Sequence, residues 1–285
     1  NAAQIAAIET EDLIALSTDQ LQALGTAQIA ALKVAQVAAL TTAQVAALEA
    51  GDVAALSTAQ IVALTSAQVA ALTIDQVAVL STAQVRALET ADLAAIATDR
   101  IATLSTLQLE ALSTAQIVAL STDQVRALTV EQLPGLSTTQ VRALATDDLA
   151  ALTTEQIGGL SQAQVAALST AQIVALTSAQ VAAIEVADLA GLSSTQLRAL
   201  QSEDLVALTS EQIAALSTAQ IAALTTFQIV DLASQQVAAL TSSQVQALST
   251  LQLRALETAD LAAMTTAQIQ ALTTAQIAAL STAQV

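Results

Sequence analysis

The sequence predicts an all-α solenoid built from very short capped helices, one in every eight residues. Three observations predict it. First, a period of eight runs from Asn1 to Val285 without an insertion, which marks a repeat array with no central core. With octads counted from Asn1, position 5 is Ile, Val or Leu at all 36 occurrences, and position 8 is Leu at 31 of 35. Second, the octad S/T-T-A-Q-I/V-A-A-L is rich in Ala, Gln and Leu, which favour helix. Third, Ser or Thr at position 1 with Gln at position 4 forms S-x-x-Q, a helix-starting capping box.

Taken in order along the octad, each position has a task. The position 1 hydroxyl accepts a hydrogen bond from the backbone N–H three residues on, and the position 4 Gln reaches back to the cap. Position 4 is Gln at 28 of 36 occurrences, Asp at seven and Arg once, at Arg100. Asp there favours the same helix start through the macrodipole. Several Asp octads carry Glu9, Glu49, Glu89, Glu185 or Glu257 at position 1, which alters the box. Positions 5 and 8 are i and i+3 on one face and form the core. Position 7 is Ala or Gly except at Val79, Thr103 and Asp231, which predicts close backbone approach between coils. Positions 3 and 6 take charges such as Asp19, Glu110, Asp123 and Arg126, and so face outward. An octad buries too little to fold alone, so stacking must supply the stability.

Two rival folds compete with this reading. In one continuous helix the apolar stripe would drift about 80° per octad, against ~20° per heptad in a coiled coil, and no partner helix could follow it. A β-solenoid is the alternative that suits a short period and Ile or Val at position 5, but Gln and paired Ala suit strands badly.

Composition narrows function. The chain has no His, Cys, Trp or Tyr, and Phe227 is its one aromatic residue. That removes most metal and cofactor sites and the thiol and Ser-His nucleophiles, so neither an enzyme nor a bound small molecule is expected. With 24 acids against 7 bases the net charge is −17, which argues against nucleic acid. Apolar runs stay near four residues, so no transmembrane segment is expected despite a mean hydropathy of +0.64. The array reads as one domain over residues 1–285, a slice of a longer array, since neither end carries a polar capping repeat.

A longer period overlies the octad. Val62, Val118, Val174 and Val230 stand seven octads apart. So do Arg86, Arg142, Arg198 and Arg254, each followed by an Asp octad at Asp92, Asp148, Asp204 and Asp260. Duplication of a seven-octad block explains this. So does a superhelix in which seven octads complete whole turns and place the arginines on one face. These eight residues are the candidate self-association groups. Acid pairs such as Glu11/Asp12, Asp147/Asp148 and Glu203/Asp204 lack the D-x-D-x-D-G calcium-loop spacing and read as solvated or capping groups. Pro134-Gly135 and Gly158-Gly159 read as variation within the octad, with a local kink at Pro134.

The octads S-T-A-Q-I-A-A-L and L-T-T-A-Q-V-A-A-L resemble low-complexity repeats of very large bacterial surface proteins, of the adhesion and haem-utilisation type. The resemblance implies an extracellular or cell-surface location. No His, Cys or Tyr is present to hold haem. The expected function is a stiff extracellular stalk, fibre or filament whose partners are copies of itself. The alternative is an adhesive or ligand-binding array, including ice binding by rows of Thr at position 2.

Overall fold

A computed structural model describes residues 1–285, which form two compact units, Asn1–Leu144 and Ala145–Val285. Both units are all-helical. The chain has 34 α-helices and one 3-10 helix, Leu133–Gly135, one in each complete octad, and no strand. The α-helices are four to six residues long, as in Thr98–Ile101 and Thr82–Ala87. The all-α solenoid is therefore the fold, and the β-solenoid is not.

The octad 81–88 shows how eight residues make one helix and one corner. Ser81 sits in the extended region (φ −67°, ψ 158°), Thr82–Ala87 is helical, and Leu88 returns to φ −59°, ψ 137°. The backbone N–H of Val85 donates to Ser81 O at 2.9 Å and that of Leu88 to Val85 O at 3.3 Å. Two successive extended residues, positions 8 and 1, turn the chain between helices. No residue has positive φ, so Leu occupies a corner where many helix ends use a left-handed Gly.

Within each unit the helices wind into stacked turns. A helix packs on the helix three octads on, as Thr42–Ala47 does on Ser66–Ala71 and Ser178–Ala183 on Ser202–Ala207. The position 4 side chain reaches four octads back: Gln84 bonds carbonyls at sequence separations of 31 and 28. A turn thus holds about three and a half octads. Position 5 forms the innermost row and position 8 the second, with Val85 and Ile117 at 0% and Leu88 and Leu120 at 4% exposure. Positions 3 and 6 lie outside, as expected.

The octad 129–136 departs from the rule. Pro134 has no N–H to close the last helical turn, and the α-helix gives way to a turn and the 3-10 helix Leu133–Gly135. The coil keeps its path because the inner rows are intact. Leu133 and Leu136 are buried, and Gln132 still donates to Ile101 O at 3.2 Å and Leu104 O at 2.6 Å. A Cβ on Gly135 would lie 2.8 Å from Thr106 Cβ, so this position 7 needs glycine. The expected close approach at position 7 is real here.

The rows differ sharply in predicted sensitivity. Leu120→Asp should cost at least ~3 kcal/mol in denaturant unfolding, because it places a charge in a buried apolar row. Ala115→Asp, on the exposed position 3 row, should stay within ~0.5 kcal/mol of wild type. Equal effects would contradict the row assignment. Length should matter too, since the first cross-turn bonds of a position 4 glutamine, from Gln36 to Ile5 O and Ile8 O, need a fifth octad. A fragment of three octads should show no helical circular dichroism, and one of about fifteen should fold and melt cooperatively.

Candidate functional site

The buried polar groups form one repeated arrangement rather than a pocket. In the octad 81–88 the Gln84 side chain is 2% exposed and works in two directions. Its Oε1 accepts from the Ser81 backbone N–H at 2.8 Å and from the Ser81 hydroxyl at 3.0 Å. The Gln84 backbone N–H donates back to Ser81 Oγ at 3.2 Å, completing the capping box. Its Nε2 donates across the turn to Val53 O at 3.0 Å and Leu56 O at 2.8 Å. Val53 O, in the last turn of the helix Ala50–Ala55, also accepts from the Leu56 backbone N–H at 3.2 Å, and Leu56 O lies at the corner just past that helix, so the amide adds a donor where a short helix runs out of its own. In the second unit Gln244 likewise reaches Ile213 O at 3.1 Å and Leu216 O at 2.6 Å.

The cross-turn half of this ladder was not expected from the capping box alone. A signal for it does exist in the sequence. A capping box accepts Glu as readily as Gln, yet Glu occurs at none of the 36 position 4 sites. Only a side chain that both accepts and donates can cap one helix and bond the carbonyls of another. Arg100 keeps the donor and gives up the cap: its octad has no side-chain cap, and its guanidinium donates across the turn to Ala70 O.

Aspartate cannot donate, and its octads are built differently. Asp92, Asp148, Asp204 and Asp260 are 2–4% exposed, so they lie inside the coil. Asp204 accepts from the Gln201 backbone N–H at 3.1 Å and Asp260 from that of Glu257 at 3.3 Å. A position 2 serine on the preceding turn donates to Oδ1, the oxygen not used in the cap of Asp204 and Asp260: Ser66 to Asp92 at 2.6 Å, Ser178 to Asp204 at 2.8 Å and Ser234 to Asp260 at 2.7 Å. Asp188 has Gln162 at that place instead of serine. Its helix shortens to Val186–Leu189, and burial and then the Glu185 charge push its carboxyl above the ordinary aspartate range, against a backbone N–H bond from Gln162. Where Glu9, Glu49, Glu89, Glu185 and Glu257 hold position 1, the glutamate side chain makes no cap hydrogen bond, as the altered box implied, while the backbone N–H of Glu49 and of Glu257 still donates to Asp52 at 3.2 Å and to Asp260 at 3.3 Å.

The eight candidate association residues therefore separate. Arg86, Arg142, Arg198 and Arg254 are exposed at position 6. The four aspartates are interior and cannot meet another chain without leaving the coil. Within each unit the two arginines stand seven octads apart, which is two full turns, and so repeat at the same azimuth. The stacking is visible in the second unit, where Arg198 and Thr226, one turn further along, line one shallow open depression with Leu251 and Ser249. Two of the acid pairs likewise split, with Asp147 and Glu203 outside the coil and Asp148 and Asp204 inside, whereas Glu11 and Asp12 are both exposed. No group of three or more acidic side chains converges as metal ligands would.

A family model described as the ALTTAQ repeat matches residues 5–42, 45–82, 106–138, 131–162, 181–218, 213–250 and 253–285. No curated protein matches the chain.

Replacing the ladder amide tests its two roles separately. Gln84→Glu keeps the cap acceptor but removes the donor and sets a charge beside Val53 O and Leu56 O. It should cost about 3 kcal/mol in denaturant unfolding. Gln84→Arg, which keeps a donor as Arg100 does, should cost clearly less. If the Glu variant matched wild type, the cross-turn bonds would carry no stability.

Proposed function

The chain belongs to the ALTTAQ repeat family, and on that premise we propose that it is a structural protein of the cell exterior, a stiff stalk, fibre or filament that associates with copies of itself. One observation carries the reading. The side chains that do not face outward serve to hold turn to turn, through the apolar rows at positions 5 and 8 and the amide ladder at position 4. Polar and apolar interiors are spent on cohesion, which suits a mechanical role. The resemblance to repeats of large bacterial surface proteins supports the same setting. No helix is long and apolar enough to cross a membrane. No catalytic role, cofactor, nucleic acid or small-molecule ligand belongs to this proposal.

The adhesive array is the second reading. It draws on Leu107, Phe227 and Leu251, large apolar side chains 65–80% exposed on position 3. Ice binding fits less well. Along an outer column a position 2 residue is followed one turn later by position 6, so Thr does not stack on Thr.

Self-association is the testable core of the proposal. At low salt, sedimentation velocity should show association that grows with concentration and weakens as salt rises, because screening shortens to about 10 Å at 0.1 M. Replacing Arg86, Arg142, Arg198 and Arg254 together by Glu should leave the helical signal intact and weaken association. A wild-type chain that stays monomeric at high concentration and low salt would overturn self-association and favour the adhesive array.

A further inference from the structure

Resting on the self-association reading, we propose that the arginine face docks on the opposite, carboxylate face of a second copy, in an axial register of two turns. The second unit contains the argument within itself. Its only basic residues are Arg198 and Arg254, exposed at position 6 and seven octads apart. Glu155 and Glu211 are exposed at position 3 and are also seven octads apart. Glu211 follows Arg198 by just under half a turn, so the two pairs face away from each other. The first unit repeats the elements, with Asp99 following Arg86 at the same interval and Asp19, Asp75 and Glu131 recurring every seven octads.

The two-turn spacing selects the partner. Two arginines two turns apart meet two carboxylates at once only if those carboxylates share the same axial interval. A second copy has that interval by construction, since its coil has the same turn. Glu203 and Glu257 come soon after the two arginines in the chain and flank the same side. They make this face mixed in charge and unfavourable for a broad polyanion, while leaving spaced single carboxylates acceptable. Exposed ion pairs are individually weak, so register supplies the specificity.

The test uses the full chain in sedimentation velocity at low salt, with circular dichroism confirming that each variant keeps the wild-type helical signal. R198E/R254E makes both faces acidic, and E155R/E211R makes both basic. Each alone should weaken association about tenfold or more, and a mixture of the two should recover it, because their faces are complementary. T226R/R254T keeps the net charge but places the arginines one turn apart, and it should also weaken association. Wild-type affinity in T226R/R254T, or no recovery in the mixture, would overturn the register while leaving self-association standing. A wild type that never associates would overturn both.

Discussion

A primary amide can accept and donate at once, and this structure depends on that property. Helices of four to six residues leave most of their backbone groups without intrahelical partners. The first N–H groups need acceptors and the last carbonyls need donors, at a spacing that water cannot reach inside a coil. Gln at position 4 meets both needs from one side chain. Its oxygen holds the start of its own helix and its nitrogen holds the end of another, as Gln84 does for Ser81 and for Leu56. The apolar rows then pack against a backbone already closed. Each amide also fixes the rise between successive turns, so turn spacing follows from the reach of a glutamine.

Much of this was legible in the residues. The octad, the cap at position 1, the core at positions 5 and 8 and the outward rows at 3 and 6 all follow from local rules, and they stand. What local rules do not carry is the partner across the turn. The capping box explains Gln84 Oε1 and is silent about Gln84 Nε2, because the carbonyls it serves lie a full turn away along the chain. The aspartates show the same blindness. Asp204 reads as a charged N-terminal residue, suited to the surface, until Ser178 on the preceding turn supplies a hydroxyl inside. Pro134 was legible as a local irregularity, and it takes the form of a 3-10 helix within an unbroken coil rather than a kink. That Gly135 must accompany it depends on Thr106, a neighbour only in the folded coil.

The seven-octad period links the two scales. The octad governs which side chain points in or out, and the turn governs which azimuth it takes. With three and a half octads per turn, seven octads are the shortest interval that restores both. Duplication of a seven-octad block would therefore copy a surface pattern onto the same face, so the two explanations of the arginine row are compatible.

That commensurability bears on how such an array tolerates change in length. Because the corners use ordinary extended residues and no obligatory glycine, a whole octad can be gained or lost in a unit without a special turn to rebuild. The interior would close again on identical rows. The exterior would not: everything beyond the change in that unit would rotate by about two-sevenths of a turn relative to everything before it. Copy-number slippage of a single repeat would thus be silent for folding and disruptive for any contact that spans the site, whereas slippage by seven would be silent for both. The coding unit that a contact surface can inherit intact is the double turn, not the repeat.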